Sequence, residues 1–402
     1  MPYDVRAVRD HFPALKAGYA HFDGPGGSQV PDVVADAVAR TLVSPLANRG
    51  RVTAAERTAD DIVTGARQAM ADLLGADPRG VVFGRSMTQL TYDMARTLAA
   101  TWRSGDEVVV TRLDHDANIR PWVQAAEAVG AVVRWADFDP ETGELTEEHL
   151  AAVLSPRTRL VAVTAASNLI GTCPPVRALT DLAHEAGALA YVDGVHFTAH
   201  AAVHVEALGA DFYVCSPYKF LGPHCGALVA TPELLEGLDP DKLVPATNQV
   251  PERFELGTLP YELMAGTTAA VDFIASLGQG SGEGDDRRTM IKAAFAAIEE
   301  HEDRLRERLE EGLSRLPVVV HSRAKRRTPT VLLTFPGAEA AEVSVALADR
   351  DINAPSSNFY AWEPSHHLGL GEDGGLRVGL APYSTEDEID RLVVALSEVL
   401  VS

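Results

Sequence analysis

The stretch CSPYKFLGPHCG, residues 215–226, sets one lysine, Lys219, in a short loop with Ser216, Pro217, Gly222 and Pro223, directly after an apolar run. A solvated surface lysine needs no such setting. A lysine that makes a covalent bond does, since an enclosed amine has a depressed pKa and becomes a nucleophile and a base. Other capable residues follow other apolar runs. ALAYVD, 188–193, ends in Asp193 and runs into Gly194, Val195 and His196. RLVAVTA, 159–165, leads to Asn168, and EVVVT, 107–111, leads to His115 and Asn118. VVF, 81–83, leads to GRSMTQ, where Ser86 can cap a helix whose first turn carries Thr88.

These runs are short and β-branched, as are 131–136, 211–215 and 226–230, and they read as buried strands. Between them lie longer stretches with apolar residues at helical spacing, such as 86–102 and 174–186. The alternation predicts an α/β fold with a mostly parallel central sheet. Ligands of such sheets bind outside the carboxyl ends of the strands. Five neighbouring strand ends would there gather an acid, a lysine, an amide, an imidazole and hydroxyls at a helix N-terminus. Beyond them, GQGSGEGDD at 278–286 reads as a Gly-rich linker. A helix at 287–314, strands near 318–321 and 330–335, a helix at 338–350, a strand at 376–380 and a helix at 385–400 would make a smaller C-terminal α+β domain. The expected division is an N-terminal segment, 1–20, packing on the small domain, a large domain at 21–277 and the small domain at 278–402.

Charge narrows the function classes. With 57 acidic against 35 basic residues the net charge is −22, which argues against a nucleic-acid or anionic-membrane partner, because phosphate binding needs clustered Lys and Arg. The three cysteines, Cys173, Cys215 and Cys225, form neither a disulfide framework nor a zinc pattern. The N-terminus lacks the apolar core of a signal peptide and no stretch is apolar enough to span a bilayer, so a cytoplasmic location is expected. His196, His200 and His204 at i, i+4, i+8 could line a helical face as metal ligands. The stretch has no clear helix and no HExxH frame, so no metal is expected. A dinucleotide fold is set aside because no GxGxxG follows the first strand; GPGG at 24–27 precedes it and reads as a loop near the substrate.

One cofactor uses the whole strand-end set. Pyridoxal 5′-phosphate needs a lysine for its Schiff base and a carboxylate to keep its ring nitrogen protonated. It also needs a flat side chain to stack on the ring, and hydroxyls with free backbone N–H groups at a helix N-terminus for the phosphate. The sequence resembles the fold-type I, class V aminotransferase superfamily, and within it the cysteine desulfurase-like proteins, near cysteine desulfurases, selenocysteine lyases and isopenicillin N epimerase. The resemblance runs in order through AHFDGPGGSQVP, TRLDHDANIRPW, TAASNLIGT, YVDGVHFTAH, CSPYKFLGPHCGAL, RFELGT and RVGLAPYSTEDEIDRL. It implies the transferase fold of these pyridoxal-phosphate enzymes and a role for each matching position. Lys219 would form the Schiff base, Asp193 would face the ring nitrogen, and His115 would stack on the ring. His196, often Gln in relatives, and Asn168 would lie near the ring hydroxyl. Thr88 and Ser216 would bind phosphate, with Met87 where relatives often carry another Thr and Tyr218 where many desulfurases carry a His. Thr258 would reach the phosphate across a dimer interface, which implies a homodimer with shared active sites. Arg377 would grip the α-carboxylate of an amino acid substrate.

The resemblance implies a cycle in which freed Lys219 removes the substrate α-proton while Asp193 stabilises the charge entering the ring. Cysteine desulfurases add a nucleophilic cysteine on a loop before the carboxylate-binding arginine. The matching stretch, DRDINAPSSNFYAWEP at 349–364, holds none. Ser356 and Ser357 cannot replace it, because a hydroxyl stays protonated and carries no sulfur. The expected reaction is therefore β-lyase cleavage of a C–S bond in cysteine or a cysteine conjugate without an enzyme thiol, with Phe359, Tyr360 and Trp362 suited to a bulky side chain. A desulfurase or selenocysteine lyase using Cys225, an epimerase and an aminotransferase are the alternatives.

Overall fold

The computed structural model describes residues 3–278 and 286–401. The Gly-rich stretch 278–286 falls, apart from its two end residues, outside the described residues.

The central sheet has seven strands. From one edge to the other they are Val81–Gly84, Gly226–Val229, Phe212–Cys215, Leu189–Asp193, Thr158–Thr164, Glu107–Thr111 and Val132–Ala136. All run the same way except Gly226–Val229, which is antiparallel to both neighbours. The short connection carrying Lys219 explains the reversal: a parallel neighbour needs a crossover of a dozen or more residues, and only the loop 216–225 is available.

Side chains alternate across this sheet and bury both faces. Val108, Val110, Leu160, Tyr191 and Val214 join one core with the helices Met87–Ala99 and Arg120–Val129. Val109, Val161, Val192 and Tyr213 join another with the helices Ala54–Leu74, Val176–Glu185 and Tyr261–Leu277. Each fully buried Val or Leu contributes about 1.5–3 kcal/mol, so strand positions rather than loops set the register.

The C-terminal unit has an antiparallel sheet in the order Ser356–Ser357, Gly375–Gly379, Thr330–Thr334, Val319–Val320. The helices Arg287–Leu313, Ala340–Ala348 and Glu386–Val401 accompany it. Leu309, Val331, Leu333, Val378 and Leu392 belong to a core of its own. The N-terminal residues meet this unit: Ala20–His21 pairs in parallel with Ile352–Asn353, Tyr3 donates to the Pro382 carbonyl at 2.8 Å, and Arg9 donates to Glu388 at 3.0 Å. Alternation in the sequence did not reveal the pair Ser356–Ser357, because two residues carry no periodicity.

Candidate active site

The carboxyl ends of five parallel strands meet above the sheet. A cavity opens there, with about 440 Å³ of empty space when the adjoining open solvent is included. Met87 and Thr88 line it beside the strand Val81–Gly84, His115 and Asn168 line it from the middle of the sheet, and Asp193, His196, Tyr218 and Lys219 complete the wall.

The helix Met87–Ala99 starts at this cavity. Ser86 is its N-cap, accepting the Gln89 N–H at 3.1 Å, which leaves the Met87 and Thr88 N–H groups without partners among the described residues. The helix can sit this close because residue 226 is a glycine. A Cβ there would lie 2.3 Å from the Ser86 carbonyl carbon and 2.5 Å from the Met87 nitrogen.

Asp193 is buried at the end of its strand, 4% exposed, with Oδ1 accepting the Val195 N–H at 2.9 Å. Burial pushes its carboxyl up to about 6, against the opposing pull of that hydrogen bond and of Lys219. Lys219 lies in the turn Pro217–Lys219, donates to the Pro25 carbonyl of the GPGG loop, and has Nζ 5.2 Å from the Tyr218 ring centre. Burial first, then the Arg377 charge, lower its pKa to about 7, while Asp193 raises it. His115 accepts the Ala117 N–H on Nδ1 at 3.0 Å, and burial with the charges of Lys219 and Arg377 depresses it to about 3. Its ring is therefore uncharged at neutral pH.

Asn168 ties the cavity to the C-terminal unit. Its Nδ2 donates to the Phe359 carbonyl at 3.0 Å, and its own carbonyl accepts from Arg377 Nη1 at 2.9 Å. Its Oδ1 is buried with no partner among the described residues. Arg377 is 2% exposed, and burial lowers its pKa to about 9. Its guanidinium carbon lies 3.7 Å from the Phe359 ring centre and its Nε is buried without a hydrogen bond. Phe359 and Tyr360 both take left-handed backbone conformations, φ 54° and 57°. The Asn168 bond to the Phe359 carbonyl and the Asp116 N–H on the Tyr360 carbonyl at 2.8 Å hold them there. The Tyr360 ring, 76% exposed, stands 5.8 Å from that of His115.

Other residues are placed differently. Ser216 is buried at the start of the lysine turn and, like Arg377 and Tyr360, is not part of the cavity wall. Thr258 is exposed on the loop between Glu252–Phe254 and the helix Tyr261–Leu277, away from the cavity. Tyr218 stacks on His224, ring centres 4.8 Å apart. Asn118 is fully buried between Asp114 and the Trp122 indole, a packing role rather than a place on the cavity wall. The three histidines do not line one helical face: His196 and His200 flank the turn Phe197–Ala199, and His204 caps the short helix Val205–Leu208. Among the described residues no group of three His, Cys, Asp or Glu side chains could hold a metal ion.

Sequence reasoning missed Asp114. It is fully buried, receives bonds from Thr111 and from Asn118 Nδ2, and is pushed up to about 8 by burial, with Asp193 adding to the rise. Next to the conspicuous His115 it carried no periodic signal of its own. None of the thiols lines the cavity. Cys215 and Cys225 are buried in the core, and burial raises all three thiols, Cys225 to about 11 and Cys173 to about 12.

The residues present fit pyridoxal phosphate. The cavity offers an orphaned amide oxygen, free N–H groups at a helix start, a neutral imidazole, a buried carboxylate and a lysine of lowered pKa. The family model for Aminotransferase class-V matches residues 20–392.

The chain belongs to that family. It is 33% identical over 418 residues to the aminotransferase-like protein FGM3 of Gibberella zeae, with 99% of each chain covered. It is 31% identical over 422 residues to a cysteine desulfurase of Klebsiella pneumoniae, again with 99% of each covered. Its fold matches the crystal structure of the cysteine desulfurase CsdA from Escherichia coli with a TM-score of 0.87 at 26% identity, covering 100% of this chain and 99% of that one. The chain is accordingly that of a pyridoxal-phosphate-dependent enzyme with the mixed α/β fold of the cysteine desulfurases. No helix among the described residues is long and apolar enough to cross a membrane.

Proposed function

We propose that this protein is a β-lyase that cleaves the C–S bond of cysteine or a cysteine conjugate without an enzyme thiol. The observation that carries the reading is the placement of the thiols: the cavity holding Lys219 has none on its wall, and burial keeps all three protonated. The stretch 349–364 also lacks cysteine. Persulfide formation needs a thiolate at the substrate.

Lys219 would hold the cofactor covalently, with Asp193 at the ring nitrogen, His115 against the ring, and His196 and Asn168 at the ring hydroxyl. Thr88, Ser216, the Met87 and Thr88 N–H groups and Tyr218 would serve the phosphate. Bound pyridoxal phosphate supplies an aldehyde for covalent capture and an electron-poor ring that accepts the pair released at the substrate α-carbon. Arg377 would bind the α-carboxylate through its guanidinium edge, its face being covered by Phe359. Lys219 Nζ, once freed from the cofactor by the substrate amine, would take the α-proton. Loss of the sulfur with the C–S electron pair and the abstracted proton, followed by addition of one water, would give thiol, pyruvate and ammonia. Tyr360, exposed beside His115, would border the substrate side chain. Thr258, exposed here, would reach the phosphate of a second copy in a homodimer, and the enzyme would work in the cytoplasm. The two-domain division at 278, with residues 1–20 packed on the smaller part, belongs to the same reading.

The test is incubation with cysteine and S-substituted cysteines, assaying pyruvate, released thiol and protein persulfide. Pyruvate and thiol in equal amounts without persulfide support the lyase. Persulfide on Cys225 would establish a desulfurase, and substrate returned with inverted stereochemistry or converted to its keto acid would establish an epimerase or an aminotransferase.

A further inference from the structure

From His196 on the cavity wall a line of buried polar residues runs back to His200 and Glu302, which no step above uses. His196 is 3% exposed, and its Nε2 is bonded to the Thr328 hydroxyl at 2.9 Å and the Thr330 hydroxyl at 3.0 Å. Its ring packs edge-on against that of His200, centres 4.9 Å apart and planes at 74°. His200 is itself buried and its Nδ1 meets Glu302 Oε2 at 2.9 Å. Glu302 is 1% exposed, and its Oε1 has no hydrogen-bond partner among the described residues.

A carboxylate this deep destabilises a fold unless its partner offsets the desolvation. Burial raises the Glu302 pKa, and His200 opposes the rise. The pair joins two parts of the molecule. His196 and His200 follow the strand that ends in Asp193, while Glu302 lies on the helix Arg287–Leu313 and Thr328 and Thr330 lead into the strand paired with the one carrying Arg377. His196 is thus fixed from the C-terminal unit twice, through the threonine hydroxyls and through His200. Its Nε2 is engaged by both hydroxyls, Nδ1 is the ring nitrogen left without a partner among the described residues, and the residue lines the cavity.

We propose that Glu302, acting through His200, is a positioning residue for His196. It holds the His196 ring at the orientation that presents Nδ1 to the cofactor hydroxyl, and it makes that orientation depend on the seating of the C-terminal unit. This rests on the pyridoxal phosphate reading of the cavity, and extends it to residues outside the wall.

The experiment uses the full-length holoenzyme and the variants Glu302→Leu, Glu302→Gln, His200→Phe and the Glu302→Leu/His200→Phe pair. Each is measured for melting temperature, for the visible absorbance maximum of the bound cofactor and for cofactor dissociation. Glu302→Leu and His200→Phe are expected to shift the absorbance maximum and to weaken cofactor retention about fivefold, the scale of one lost hydrogen bond. The double variant should shift it no further than either single one, because both break the same chain. Glu302→Gln, which keeps an acceptor for His200, should lie near the parent. Variants that melt lower yet keep the parental absorbance and affinity, or single shifts that add in the double variant, overturn the proposal. Should Glu302→Leu fail to fold, His200→Phe alone decides between these outcomes. A parent protein that takes up no pyridoxal phosphate would instead overturn the reading of the cavity itself.

Discussion

Phe359 lies beneath Arg377, its ring centre 3.7 Å from the guanidinium carbon, while the carbonyl of Asn168 accepts a hydrogen bond from Arg377 Nη1 at 2.9 Å. A guanidinium held on one face and one corner keeps its remaining edge in a single plane. Phe359→Leu should therefore raise KM for an amino acid substrate about fivefold, a desolvated cation–π contact of about 1 kcal/mol, with kcat nearly unchanged. Phe359→Trp should keep KM near the parental value. Steady-state kinetics on both variants check this.

Lys219 sets a pH limit. Its pKa is lowered to about 7, so the amine is protonated below that pH and neutral above it. A normal lysine would become neutral only near 10.5. Capture of pyridoxal phosphate by the apoenzyme, followed by visible absorbance, should rise as pH increases through about 7 and level off well below 10. Since the Arg377 charge helps lower this value, Arg377→Gln should move the midpoint upward.

Asp193→Asn keeps an oxygen for the Val195 N–H but removes the charge. Folding should survive, judged by an unchanged melting curve. Turnover should fall about a hundredfold or more, the usual scale for removing a preorganised electrostatic group. Cofactor binding and kcat measured together separate the two effects.

The thiols should be dispensable. Cys225 is 1% exposed, bonded at 3.5 Å to the Thr267 hydroxyl, and pushed up to about 11. Brief alkylation should leave activity within about twofold, because reactivity follows thiolate fraction and exposure. Cys225→Ala should lower stability by about 1 kcal/mol with activity retained. Release of sulfur-containing product, measured before and after treatment, checks both.

Gly226→Ala tests the approach of the helix start to the sheet. The added methyl would meet the Ser86–Met87 backbone at 2.3–2.5 Å. Backbone cannot swing aside as a side chain can, so a stability loss of about 1–3 kcal/mol is expected. Weaker retention of pyridoxal phosphate should accompany it, read by thermal melting and dialysis.

The positions lining the cavity were legible because each follows a β-branched run in the chain. Asp193, His115, Asn168 and Lys219 could be named from the rule that parallel strands deliver their carboxyl ends to one edge. The reversed strand Gly226–Val229 was not named as such, although the short loop before it left no length for a crossover. Phe359 under Arg377 and Glu302 on His200 were invisible for a different reason. Their partners lie 18 and 102 positions away, and no local period links them.

The sequence by itself determined the alternation of strands and helices, the residue types at the strand ends and the absence of cysteine between 349 and 364, because these depend on local pattern and identity. The tertiary structure alone decided which of those residues share one cavity, how far burial moves Lys219 and Asp193, and that Asn168 bonds both Phe359 and Arg377. Desolvation and contact between distant segments exist only once the chain has folded, so no reading of neighbours along the chain contains them.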